Sequence, residues 1–401
     1  MNMKLNRHNT VWKSHRLPKC LLAVFLGASV FLSGCGPAEG SQGAFDASSE
    51  ENGKLKVAVT LFPYYDFVRQ IAGDQVDLQM VIPAGMDSHS FEPTPADIRT
   101  IQHADVLISN GGTMEHWLED TLGALDTSNM TIVTMMDYVD TVEEEIVEGM
   151  EDAGHDHDHD HVHSHTDSDD HDHSHETPEE HAAHAQEVDD HDHSGETPEE
   201  HAAHAQETDD HDHSDYVDHD GHEETIEYDE HIWTSPVNAM KLVDVIGETL
   251  AEADPAHAEV FRLGAENYKK ELEEIDAGFR EVSRNRKRNM IVMGDKFPFR
   301  YLADEYQLDY RAAFSGCSSD TEPSAKTIAY LIDKVKEEQI PVVYYLELSS
   351  HRVSEIIGEE TGAEPLLLHS CHNVTRAQFD SGITYAELMR QNIENLRKGI
   401  D

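Results

Sequence analysis

The chain has 401 residues, with 81 Asp and Glu against 29 Lys and Arg, 29 His and only 4 Cys. A formal charge of −52 at pH 7 would be repelled by a phosphate backbone, which excludes nucleic acid as a partner. Of the acids, 37 fall in residues 137–230, which hold no Lys or Arg, so the rest carries 44 acids against 29 bases and is only mildly acidic.

Residues 1–34 begin basic, with Lys4, Arg7, Lys13, Arg16 and Lys19, and continue as an uncharged run over 20–32. That run is too short for a stable membrane span and reads as a secretion signal. Its ending, Leu32-Ser33-Gly34-Cys35, resembles the bacterial lipobox. The resemblance implies cleavage before Cys35, diacylglycerol on its sulfur, and a protein anchored by lipid at the extracytoplasmic face of a bacterial cell membrane. Residues 35–53, rich in Gly, Ser, Ala and Glu, read as a tether. In an oxidising compartment the remaining thiols, Cys317 and Cys371, are expected to form a disulfide, with zinc ligation as the competing reading.

Residues 54–140 alternate strand and helix. Strands are expected at 54–60, 76–82, 106–109 and 131–134, and helices at 63–72, 95–104 and 114–125. Such alternation with short connections predicts a parallel sheet covered by helices, with ligands at the carboxyl ends of the strands.

Residues 141–228 break the pattern. The stretch 155–222 holds 19 of the 29 histidines, interleaved with Asp and Glu, and almost no large apolar residue. It cannot bury enough surface to offset its ordering and is expected to be a disordered loop. Neutral imidazole with neighbouring carboxylates makes a many-site, weak, fast-exchanging metal binder. The accessory ligands expected there are His155, His157, His159, His161, His163, His165, His171, His173, His181, His184, His191, His193, His201, His204, His211 and His213. Residues 171–190 recur as 191–210 with two differences, but the repeat has no apolar face to stack as a solenoid. The His-Glu-x-x-His protease motif is absent from the chain.

Residues 229–253 return to the first lobe, with a helix expected over 236–252. Asp254 is expected to cap a long helix, with Pro255 at its first position. Apolar residues at 258, 261, 265, 268, 272, 275, 279 and 282 form one stripe along it, and the segment 254–288 reads as a strut between lobes. Residues 289–401 alternate again, with strands expected at 289–293, 308–313, 341–346 and 364–368, and helices at 297–306, 324–338, 353–361 and 384–397. The expected fold is α/β: two Rossmann-like lobes with parallel sheets, joined by a long rigid helix, with a ligand cleft between them.

Three stretches carry a family resemblance: the run Gly85-Met86-Asp87-Ser88-His89-Ser90-Phe91-Glu92-Pro93, Asn110-Gly111 with Trp117, and Asp229-Glu230-His231-Ile232-Trp233-Thr234-Ser235-Pro236. With them the chain resembles the metal-specific solute-binding proteins of ABC importers, cluster A-I, of the ZnuA and AdcA kind. The resemblance implies zinc held in the interlobe cleft and delivered to a membrane permease with its ATPase, by a protein expected to be a monomer. It carries His89 and His231 over as ligands. At the third family position this chain has Gly294, which offers no ligand, so Asp295 is the nearest candidate. After the last expected strand His369 falls at the aligned place, with His372 beside it, and the choice between them stays open. Glu347 stands at the same cleft edge, and Glu115 and His116 are weaker candidates. Imidazoles with one carboxylate favour zinc over manganese. The expected function is zinc capture for import; the alternatives are a manganese- or iron-binding member of the family, or a surface zinc buffer or adhesin without a permease. An enzyme is not expected.

Overall fold

Two four-stranded, all-parallel sheets organise the chain, and both have the same winding order. The computed structural model describes residue 45 and residues 53–150, 227–318 and 322–401. The expected signal peptide, Cys35 and every accessory histidine of the 155–222 tract lie outside the described residues.

The first sheet takes β1 (Leu55–Val59), β2 (Val76–Met80), β3 (Val106–Ser109) and β4 (Thr131–Thr134) in the order β2-β1-β3-β4. Its helices are α1 (Phe62–Ala72), α2 (Pro95–Gln102) and α3 (His116–Gly123). Then come α4 (Pro236–Ala253) and the long α5 (Ala258–Asn285). The second sheet takes β5 (Met290–Phe297), β6 (Asp309–Ser315), β7 (Val342–Tyr345) and β8 (Glu364–Leu367) in the order β6-β5-β7-β8. Around it run α6 (Arg300–Tyr306), α7 (Ala325–Glu337), α8 (Arg352–Thr361), α9 (Arg376–Ser381) and α10 (Tyr385–Ile400). In each sheet the first strand lies between the second and third, so the winding reverses beside it. The carboxyl ends at that reversal diverge and leave a crevice.

The helices start where local chemistry supplies caps. Thr94 and Asp97 form a capping box ahead of α2, with Pro95 at its first position. Ser235 caps α4, again followed by proline, and Thr384 with Glu387 boxes α10.

The stripe along α5 is buried from Phe261 through Ala265, Tyr268, Leu272, Ile275 and Phe279 to Val282. At ~1.5 Å per residue its 28 residues extend ~42 Å. One half packs on α1 and α4, the other on α10. Two glycines allow these close approaches. A Cβ at Gly264 would lie 2.1 Å from the Ile71 carbonyl, and one at Gly278 2.7 Å from Ile393 Cδ1.

Some expectations are corrected here. Asp254 does not cap the long helix: its amide closes α4 on Leu250, and its carboxylate holds a separate turn through the Ala256 amide (3.1 Å) and His257 Nδ1 (2.6 Å). Pro255 sits in that turn, and α5 begins after His257. Strand β5 runs on to Phe297 through an irregular register between Met293 and Lys296, so the next helix starts only at Arg300. The disulfide is not formed; both thiols are free. The Cys317 amide bonds Glu144 Oε1 at 2.9 Å, while Cys371 is buried with its thiol donating to the His369 carbonyl at 3.7 Å. The two cysteines thus belong to different local networks. Among the described residues no helix is long and apolar enough to cross a membrane.

Candidate metal centre

Three histidines from three separate segments converge beside the crevice. His89 sits in the loop after β2, His231 on the segment leading into α4, and His372 in the loop after β8. Their ligating atoms all lie within 4.8 Å of one another. The ring centroids are 6.0 Å apart for His89 and His231, 5.6 Å for His89 and His372, and 5.8 Å for His231 and His372.

Each ring is placed by its own local chemistry. The Asp87 carboxylate accepts the His89 amide at 3.0 Å, a side-chain turn that folds the loop back. Glu230 anchors the His231 segment: its carboxylate accepts the Thr113 and Met114 amides, the latter at 2.7 Å, and the Thr113 hydroxyl at 2.8 Å. Only glycine fits the facing position, because a Cβ at Gly112 would lie 2.4 Å from the Glu230 carboxyl carbon. Trp233 ties the segment across to the other sheet, donating from Nε1 to the Ser370 carbonyl at 2.8 Å. The His372 loop is tied back in return. Asn373 Nδ2 donates to the Pro83 and Met86 carbonyls, both at 2.8 Å, and the Ser88 hydroxyl hydrogen-bonds His372 Nε2.

Asp229 has a role that the sequence reading did not assign. Its Oδ1 accepts the His231 amide at 2.8 Å and stands 3.2 Å from His231 Nδ1. A carboxylate there accepts a hydrogen bond from Nδ1–H, which fixes the tautomer and leaves the Nε2 lone pair free for a ligand. No sequence signal separates Asp229 from the other acids that precede His231.

The electrostatics favour neutral imidazoles. Burial, then repulsion from His231, lowers the His89 pKa to about 4. Burial, then His89 and His231, pushes His372 well below the ordinary imidazole range. Both rings therefore offer lone pairs at neutral pH. Three imidazole nitrogens with a carboxylate behind one of them suit a borderline divalent cation and leave one tetrahedral position to fill.

The other candidates do not join the triangle. His369 lies outside the triangle, and the chain between the two rings turns at Cys371, whose φ is 61°. It is 1% exposed; its Nδ1 accepts the Cys371 amide at 3.0 Å and stands 3.5 Å from Glu347. Asn392 holds its backbone through bonds of 2.8 and 2.7 Å. Glu347 is not a member of the cluster either. Its carboxylate accepts the Ser370 amide at 2.8 Å and the Ser370 hydroxyl. Asp295 lies within β5 and so does not cap a helix; it accepts the Lys296 amide at 2.9 Å and the Leu346 amide at 3.3 Å. At Gly294 a side chain is excluded, since a Cβ would meet Ser354 Oγ at 2.5 Å and the Ser354 amide nitrogen at 2.7 Å. Glu115 serves the loop after β3, accepting the Asn110 and Gly111 amides at 2.9 and 3.0 Å, and burial raises its pKa to about 7. His116 is exposed, with Nδ1 3.2 Å from the Thr113 carbonyl.

Residues 57–399 match the family ZnuA, described as the periplasmic component A of the zinc-uptake complex. The zinc-binding protein AdcA of Streptococcus pyogenes serotype M18 is 30% identical over 349 residues; the match spans 87% of this chain and 56% of that protein's length. The chain thus covers little more than half of such relatives. The high-affinity zinc uptake system protein ZnuA of Bacillus subtilis is 26% identical over 379 residues, 94% of this chain and 97% of that protein. Among solved structures, the Zn(II)-bound ZnuA-like domain of Streptococcus pneumoniae AdcA superposes with a TM-score of 0.59 at 24% identity, covering 87% of this chain and all of that one. That likeness concerns the fold.

Proposed function

The chain belongs to the ZnuA family, and on that footing we propose that it is an extracytoplasmic zinc carrier of an ABC importer. The observation that carries the reading is the convergence of His89, His231 and His372 from both sides of the crevice. In this reading zinc is cargo, bound by three imidazoles, held dry enough to stay bound and released to a permease and its ATPase. The neutral rings and the Asp229 contact support zinc over manganese, which prefers oxygen donors. Cys35 carries the lipid that keeps the protein at the membrane. Residues 54–140 and 229–253 form the first lobe and 289–401 the second, joined by 254–288. The histidines of 155–222 gather zinc and pass it on to the cleft.

The test is a zinc titration of the full chain beside His89→Ala, which leaves the tract intact. One tight equivalent that vanishes in the variant is expected. An unchanged isotherm would take the cleft out of the reading and leave a zinc buffer. Zinc-limited growth of cells carrying His89→Ala then checks delivery, and is expected to fail where the unaltered protein restores it.

A further inference from the structure

The three histidines open onto a cavity of about 380 Å³, far more than a bare cation and one water occupy. Among the described residues three nitrogens converge, which leaves one tetrahedral position with no donor from them. The carboxylates that line the cavity are engaged on backbone amides: Asp87 with His89, Asp295 with Lys296 and Leu346, and Glu347 with Ser370. Glu322 also lines it, without a contact to the triangle. Two cations, Lys296 and Arg352, line the same space, and among the described residues neither forms an ion pair. An ammonium beside a zinc site is repelled by the metal unless an anion lies between them.

We propose that the centre takes zinc together with a small free carboxylate acid, which supplies the fourth ligand and is held by Lys296, with Arg352 at its outer end. This rests on the zinc-carrier reading and adds the class of co-ligand. One carboxylate oxygen completes the tetrahedron, and the rest of the acid fills the cavity. Lys296 and the metal share the negative charge, which turns the repulsion between them into a bridge. The site then selects zinc complexes of small acids as well as the aquo ion. No covalent bond is made or broken within the acid.

The probe is radiolabelled citrate in equilibrium dialysis with the full chain and one equivalent of zinc. Zinc content is read in the same samples. Zinc-dependent retention of citrate is expected, lost without zinc and in His89→Ala, and weakened roughly tenfold in Lys296→Met. Zinc retained through His89 with no citrate beside it would overturn the inference while leaving the carrier reading intact. Citrate held equally by Lys296→Met and Arg352→Ala would also overturn it. Zinc retention indifferent to His89→Ala is the separate result that fails the carrier reading.

Discussion

At the scale of single residues, His369 and His372 stand three positions apart and do different work. His372 faces two other imidazoles, whereas His369 is buried among Cys371, Glu347 and Asn392. Replacing His372 by Ala is therefore expected to abolish tight zinc binding with a modest change in Tm. Replacing His369 by Ala is expected to keep the tight site but cost about 1–3 kcal/mol of stability, because the buried Cys371 amide loses its acceptor. A zinc titration paired with a thermal melt of each variant separates them, and the opposite pattern would reverse the assignment. Asp229→Asn is expected to weaken zinc about 10–100-fold, the usual effect of losing a carboxylate behind a ligating histidine. His89 and His231 stand out in the sequence because each sits in a distinctive run of neighbours. The choice between His369 and His372 does not, since it turns on a left-handed backbone at Cys371, a residue type that does not advertise one. Asp295 is a similar case: it falls at the irregular register of β5, and its carboxylate accepts the Lys296 and Leu346 amides, neither of which a sequence displays.

At the scale of elements, α5 shows what a periodic pattern conveys and what it omits. Its apolar stripe marks the buried face from Phe261 to Val282, with Ala258 only half-buried at the start, because a 3.6-residue repeat leaves one face for the core. Its start is not fixed by the stripe, because Asp-Pro is an equally good signal for the turn that Asp254 makes with Ala256 and His257. The short helix α9, six residues with a Thr375–Gln378 capping box, leaves no apolar period in the sequence because it has no buried residue of its own. The contacts made by glycines on α5 were equally silent. A Cβ at Gly264 would collide with the Ile71 backbone, which cannot move aside as a flexible side chain can. Gly264→Ala is expected to lose about 1–3 kcal/mol despite its better helix propensity. Gly123→Ala, at the end of α3 with nothing within 4 Å of the added methyl, is expected to be neutral or mildly stabilising. Urea midpoints for the pair decide it; equal shifts would mean that α5 and α1 slide apart at little cost.

At the scale of the whole molecule, the two sheets share a large apolar core that runs from Val57 to Ile400, and the second sheet has a smaller cluster of its own around Val292, Leu331, Val343 and Ile357. Buried polar links cross it as well: the Tyr385 amide donates to Asp66 at 2.7 Å and the Tyr385 hydroxyl to the Trp233 carbonyl at 2.7 Å. Zinc at the triangle adds a further crossing between parts already joined, so its effect should appear as stabilisation of a single unfolding transition. At free zinc about a hundred times the dissociation constant, binding to the folded state alone adds about 2.7 kcal/mol. The sign of the pH effect follows from the same histidines. His89, lowered to about 4, and His372 and His369, both lowered by burial, stay neutral in the folded chain, while an unfolded imidazole takes a proton near 6.5. Below about 6.5 the unfolded state binds more protons, so stability falls as pH drops toward 4 and is flat above. Glu115, raised to about 7, acts the other way: its folded form keeps a proton that the unfolded chain has released, an effect that favours folding as pH falls through the same window. Three lowered histidines against one raised carboxyl leave a net loss on acidification. Melting curves of the zinc-free chain between pH 4.5 and 7.5 (working limits of about these values, set by the shifts above) should show Tm falling below about 6.5. His89→Ala, which carries the same tract and lacks one depressed imidazole, should show a shallower fall. A Tm that rises on acidification would mean that Glu115 outweighs the lowered histidines; a variant as steep as the unaltered chain would mean that His89 does not set the acid limb.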